Sequence, residues 1–320
     1  MKILKKTLIL LFVGLLSSSF AQDLNEAGTA FNDGNEAYKA KKYAEAVNYY
    51  KSSIDACQLI GGDAADLQLK VEAQIVNAYY KKALTLYKGK KFDEAVAELE
   101  TTIKAAENVD NASIAKKAKA YIPKVYSSQG MGLLKAKKYD ESLAIFDKAL
   151  KYKEECVNAY YGQGLALKAK GDIDGAVVSF DNALLSAEGN PKAAKTVKKV
   201  KNAGQKMLES NAAKELQIEH TEKAIGYLNA SLKYGSTSAN TYYMLALAYN
   251  KQKKYDDAIK AANDALAIEQ GDASNIQFEL GKSYEAKGKT ALACTAYNAV
   301  VSGPNVKAAQ FQNKEVLKCN

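Results

Sequence analysis

The chain has 320 residues, 48% hydrophobic and 25% charged, an ordinary balance for a soluble folded protein. All 45 of its basic residues are Lys, so despite a net charge of +9 it lacks the planar guanidinium fork that reads phosphate and guanine, and nucleic acid is excluded as a partner. With no Trp, three Pro and one His, the composition favours helices and offers little catalytic chemistry.

Residues 1–21 have the layout of a secretory leader. Lys2, Lys5 and Lys6 form a basic start, Leu8 to Leu16 an apolar core, and Ser19 and Ala21 a small-x-small site before Gln22. The apolar run is about half the ~20 residues of a membrane span. No Cys stands at the cleavage point to accept a lipid. The expectation is therefore export to the periplasm or envelope of a Gram-negative bacterium, with no integral membrane segment after cleavage.

From residue 25 onward one unit recurs. It is clearest in VNAYYGQGLALKAKGDIDGAVVSFDNALLSAEGNP, residues 157–191. Two apolar helical patterns flank a tight turn, and the second opens on Ala176. Aligned on that alanine, the equivalents are Ala46, Ala95, Ser142, Ala224, Ala258 and Ala293. Twelve residues earlier stand Gly34, Ala83, Gly130, Gly164, Ala212, Ala246 and Gly281, all small. Four residues later stand Tyr50, Leu99, Phe146, Phe180, Leu228, Ala262 and Tyr297, six of them large. Small residues let two antiparallel helices approach, and the large ones fill the space beside them. The predicted hairpins span approximately 25–60, 64–108, 112–153, 156–188, 191–235, 238–270 and 273–303, followed by a capping helix over 305–319. Four of the turns read Lys-Lys-aromatic, at 41–43, 90–92, 137–139 and 253–255.

The alanines are separated by 49, 47, 34, 48, 34 and 35 residues. The three long intervals add Ala- and Lys-rich stretches at 64–75, 113–122 and 192–202, which predict lengthened first helices. Pro123 falls inside the second and is expected to kink or break it. In the cap, Val306, Ala309 and Val316 or Leu317 are placed to face the last hairpin.

These residues carry a family resemblance. The hairpins resemble the tetratricopeptide repeat (TPR), best at 157–191, 240–269 and 277–304, with a degenerate unit near Leu208 to Leu232. The resemblance implies an all-α, right-handed helical-hairpin solenoid of about seven hairpins plus a cap, and a concave face lined by the first helices. It implies a non-enzymatic scaffold that binds protein or peptide; cell-wall glycan is the alternative ligand. The basic clamp some TPR proteins use for a carboxylate is not matched here, because Phe31, Asn35, Lys124 and Ser128 occupy its places.

Catalytic, cofactor and metal sites are not expected. His220 has no partners of ligand type and reads as an exposed turn residue. Gly130-Met-Gly132 and Gly162-Gln-Gly164 lack the Lys-Ser/Thr of a phosphate loop and read as packing contacts. Cys57 and Cys156 read as buried small residues; Cys294 and Cys319 can be joined only if the tail folds back. The candidate partner-binding residues come from a recurring Asn-x-x-aromatic, namely Asn77 with Tyr80, Asn158 with Tyr161, Asn240 with Tyr243, and Asn275 with Phe278. The Asn amide and the flat ring suit a peptide backbone or a sugar, although Asn is equally suited to cap a helix there.

Overall fold

The computed structural model describes residues 23–235 and 238–319; the leader at 1–21 lies outside the described residues. These contain fifteen α-helices and no strand. In chain order they are α1 (23–39), α2 (Tyr43–Ile60), α3 (Ala65–Lys88), α4 (Phe92–Asn108), α5 (Ala112–Lys135), α6 (Tyr139–Tyr152), α7 (Val157–Lys170) and α8 (Ile173–Leu185). Then follow α9 (Ala194–Gln217), α10 (Thr221–Lys233), α11 (Ala239–Lys251), α12 (Tyr255–Ile268), α13 (Ser274–Ala286), α14 (Thr290–Asn298) and α15 (Val306–Phe311). The chain divides within α7 into two compact units, Met1–Gly162 and Gln163–Asn320. Each is a stack of helical hairpins in which every helix packs on the one that follows it.

The turn of every hairpin has one geometry. The residue five positions before the aligned alanine has positive φ in all seven: Lys41, Lys90, Lys137, Gly171, Glu219, Lys253 and Gly288. Only two are Gly, so five hairpins hold a side chain in the left-handed region, at a cost of roughly 1 kcal/mol each. The next residue starts the second helix. Where it is Asp172, the carboxylate accepts from the Gly175 backbone N–H (2.9 Å) and caps the helix. Where it is Lys42, Lys91 or Lys138, the amine pairs with Glu45, Glu94 or Glu141 instead.

The seven aligned residues are all fully buried, and Ser142 satisfies its hydroxyl on the Gly130 carbonyl (2.8 Å). Their flanks obey a volume rule. Where the large position is aromatic the small one is Gly. A Cβ at Gly34, Gly130, Gly164 or Gly281 would lie within 2.7 Å of the ring of Tyr50, Phe146, Phe180 or Tyr297. Where the large position is Leu99, Leu228 or Ala262, the small one is Ala83, Ala212 or Ala246. Burying each of these four rings contributes about 2–3 kcal/mol. Gly162 likewise approaches Phe146, but Gly132 has nothing within 4 Å of its would-be Cβ and is not a packing residue.

The lengthened helices are as expected: α3, α5 and α9 each run 24 residues, against 13 or 14 for α7, α11 and α13. Pro123 does not break α5, which continues through it with Ser127 Oγ donating to the Pro123 carbonyl (2.7 Å). The extra turns of α3 and α5 pack on preceding hairpins: Ala64 clusters with Ala27 and Cys57, and Ala115 with Val76 and Ala106.

The cap differs from the single helix expected over 305–319. α15 ends at Phe311, residues Gln312–Val316 continue it as a π-helical turn, and the chain turns back at Lys318, whose φ is 51°. That turn brings Cys319 back to Cys294, with Cα atoms 5.8 Å apart and the disulfide formed. Val306, Ala309 and Leu317 cover Ala293, Tyr297 and Val300, whereas Val316 is exposed. Cys57 and Cys156 are buried and free.

Candidate partner-binding site

Within each unit, the first helices of successive hairpins touch: α3 with α5 in the first, and α9 with α11 and α11 with α13 in the second. Among the described residues, second helices meet only through side chains, as Tyr152 of α6 does with Glu100 of α4, so the first helices form the tighter, inner layer.

In the first unit, that layer carries a ring-and-amine cluster. Tyr87 on α3 meets Tyr121 on α5 edge-to-face, with centroids 5.5 Å apart, and leans on Phe92 at 6.1 Å. The Lys124 amine lies over both rings, 4.7 Å from the Tyr121 centroid and 5.8 Å from that of Tyr87. Tyr87 Oη and Ser128 Oγ share a hydrogen bond (2.9 Å), which fixes the ring between the helices. Tyr80 joins the same cluster from two turns earlier on α3. Burial pushes its hydroxyl above the usual tyrosine range, Tyr121 adds to that, and Lys124 opposes it.

In the second unit, the equivalent place holds a polar lock. Asn250 Nδ2 on α11 donates to the Glu279 carboxylate and to its backbone carbonyl (both 2.8 Å). Ser283 Oγ donates to Asn250 Oδ1 (2.7 Å). Glu279 is 4% exposed, and Lys282 Nζ lies 3.0 Å from its carboxylate. Phe278 packs on Tyr297 with centroids 5.8 Å apart. Asn250, Tyr255, Phe278, Lys282 and Tyr297 line a cavity of about 520 Å³.

The expected residues fall into two groups. Asn158, Asn240 and Asn275 are the second residues of α7, α11 and α13, and Asn77 lies inside α3, bonded to the Ala73 carbonyl (3.3 Å) and Gln74 Oε1 (3.4 Å). None is an N-cap, so capping does not account for the recurrence. Their aromatic partners Tyr80, Tyr161, Tyr243 and Phe278 are all half-buried. Burial raises the Tyr161 and Tyr243 hydroxyls, the latter with help from Glu279. In the first of these pairs the preceding ring, Tyr79, turns toward a second helix, beneath the Lys51 amine of α2 (5.9 Å).

Tyr87, Tyr121, Asn250, Glu279 and Lys282 are not singled out by the repeated doublet. They share a register, however. Tyr87 and Asn250 both stand eight residues before their aligned alanine; Ser128 and Glu279 both stand fourteen before theirs, in the following hairpin. The same pair of positions elsewhere holds Leu216 and Met244, which meet in the second unit's core. An alignment scanned for positions that bond between hairpins would have found them.

Among the described residues, no group of three or more His, Cys, Asp and Glu is placed to hold a metal, and no helix is long and apolar enough to cross a membrane. His220 is exposed at the start of α10, where Nδ1 lies 3.0 Å from Glu215 Oε2.

The family model described as "Tetratricopeptide repeat" (TPR_16) matches residues 128–194, 215–275 and 243–310, more than half of the chain. A second, of the same description (TPR_6), matches 77–107. No curated protein matches. Among solved structures, the chain is similar to YrrB, described as a TPR protein with an unusual peptide-binding site (16% identity, 61% of this chain and 88% of that one, TM-score 0.35). It is also similar to MamA from Desulfovibrio magneticus RS-1 (20%, 59% and 96%, 0.35) and to the TPR2AB domain of yeast Sti1 in complex with an HSP90 peptide (14%, 91% and 92%, 0.32). On the repeat matches and the hairpins that embody them, the chain belongs to the tetratricopeptide repeat family.

Proposed function

We propose that the chain is an exported scaffold that takes a protein or peptide partner on the inner layer of first helices, in assembly or maintenance of the cell envelope. One observation carries this reading. The Lys124 amine is exposed over two tyrosine rings, and no carboxylate among the described residues pairs with it. Such an amine can receive a carbonyl or carboxylate of an extended chain while Tyr80, Tyr87 and Tyr121 offer flat surfaces to its side chains. The rings are already fixed by packing, so little ordering entropy is lost on binding. The leader at 1–21 supports export.

The test is a photocrosslinking amino acid placed at Lys124 in cells, with Lys104 on α4 as the control position. Protein adducts specific to position 124 support the reading. Muropeptide adducts there would favour the glycan alternative instead, and equal adducts at both positions overturn it. Amino-terminal sequencing of the envelope fraction should find Gln22 first; an intact leader on cytosolic protein would refute export.

A further inference from the structure

The extra turns of α9 differ from those of α3 and α5. Between Glu188 and Glu209 the sequence has six Lys and no acid: Lys192, Lys195, Lys198, Lys199, Lys201 and Lys206. All six are exposed, and none is ion-paired among the described residues, unlike Lys119 on α5, which reaches Glu107 at 2.8 Å. The helix buries its opposite side through Val200, Gly204 and Met207, so the lysines share the outward half. An accumulation of like charge of this kind repels itself and is tolerated at a cost to the folded state.

The lysine face borders a cavity of about 870 Å³ between the start of α9 and the end of α10. Its floor is apolar, with Ala194, Val197 and the ring of Tyr234. Tyr234 is committed below the floor, where its hydroxyl donates to Asp181 (2.7 Å), so the cavity is offered its ring and not its oxygen. The rim carries Lys198, Lys201, Asn190, Asn202 and Gln205.

We propose that this face is a second docking surface, separate from the inner layer, for an acidic protein segment that carries an apolar side chain. The lysines attract its carboxylates, the Asn202 amide on the rim pairs with its backbone, and the floor takes the apolar group. Charge complementarity selects the acidic partner. An anionic membrane is less suited, because α9 presents no large exposed apolar side chain to insert beside its lysines. Nucleic acid is less suited because the chain has no Arg.

The probe is a fluorescein-labelled peptide rich in Glu with one central Phe, followed by anisotropy with the full chain. Two control peptides replace every Glu by Gln, or the Phe by Ala. The Glu peptide should bind, the Gln peptide should not, and binding should weaken with salt, since exposed charges are screened beyond about 10 Å at 0.1 M. Lys198→Glu with Lys201→Glu should weaken binding about tenfold, from lost pairs and added repulsion. Ala194→Trp fills the cavity and should weaken the Phe peptide without affecting its Ala control, while Lys104→Glu on the exposed side of α4 should change neither. Circular dichroism confirms that each variant is folded. Equal binding of the Glu and Gln peptides, or indifference to both α9 variants, overturns the proposal. So does preferential binding to phosphatidylglycerol vesicles, which would make the face a membrane contact. Self-association in sedimentation that the Glu peptide does not reverse would make a second copy the occupant and also overturn it.

Discussion

Replacing Gly164 by Ala tests the volume rule directly. The added Cβ would sit 2.4 Å from Phe180 Cε1 and 2.5 Å from Cδ1, where ordinary carbon contacts are about 3.5–4.0 Å. The ring is fully buried and cannot swing into solvent. Overpacking of this size costs about 1–3 kcal/mol, offset by the ~1 kcal/mol that Ala gains over Gly inside a helix. The net expectation is a loss of about 0–2 kcal/mol, toward the upper end because two ring carbons lie within 2.5 Å of the added Cβ. Phe180→Leu alone should lose about as much, through lost transfer energy and a partly collapsed cavity. Together the two changes recreate the Ala–Leu pair present at Ala83 and Leu99 and at Ala212 and Leu228. The double variant should therefore lie within about 0.5 kcal/mol of the parent, a coupling well above the additive limit for independent sites. Urea unfolding followed by far-UV circular dichroism measures all four proteins. A double variant no more stable than the worse single one would refute the rule, as would Gly164→Ala matching the parent.

Four further outcomes follow from the turns, the tail and one tyrosine. Lys137→Gly should raise the unfolding free energy by about 0.5–1 kcal/mol, because φ of 61° costs Gly nothing, and Gly171→Ala at φ 86° should lower it by about 1 kcal/mol, both read from urea unfolding. Lys138→Asp should add the side-chain cap that Asp172 supplies in the next hairpin, about 1 kcal/mol, less the small exposed pair with Glu141. Cys294→Ser with Cys319→Ser should release the tail, which a closed loop of 25 residues holds by about 3 kcal/mol, and should make the bonds after Phe311 the first to be cut by protease. Tyr152 donates to Glu100 (2.5 Å), and this bond first, then burial, pushes its hydroxyl up to about 12. A raised folded-state value means its contribution is complete below about pH 10 and lost as pH rises toward 12. Ultraviolet titration should show several late tyrosines, Tyr234 and Tyr297 among them, and Glu100→Gln should move one of the late group back toward the ordinary range; no change in that variant would discard the bond as the cause.

The hairpins were legible because their packing repeats at fixed spacing and depends on side-chain volume alone. Gly164 and Ala176 are small for a reason that any neighbouring hairpin shares. The long α3, α5 and α9 were legible from interval length together with helix-favouring composition. The left-handed turn residue was not, since Lys41, Lys90, Lys137 and Lys253 are poor choices for positive φ and only Gly171 and Gly288 announce it. The helical cap was legible over 306–316, but its widening at Gln312–Val316 and the reversal at Lys318 were not, because neither a π turn nor a single positive φ on Lys leaves a mark in apolar spacing. The Asn residues lie two or more positions inside their helices: a helix start read from sequence shifts easily, and a two-residue shift turns a cap into an N2 residue.

The same reasoning explains why the binding chemistry is harder to read than the fold. The aligned, small and large positions are bound to each other by volume, so each hairpin must repeat them. The positions eight before the alanine and fourteen before the next are bound only to face each other. Tyr87 with Ser128, Leu216 with Met244 and Asn250 with Glu279 meet that condition with a hydroxyl bond, an apolar contact and a buried amide–carboxylate bond. A repeat that fixes geometry but not chemistry at its inner layer can vary its ligand from hairpin to hairpin without disturbing the stack. The lysines of α9 take this further. They lie on turns that the minimal repeat does not have, so nothing in the packing required them to be basic, and their charge is the feature of this chain least explained by folding.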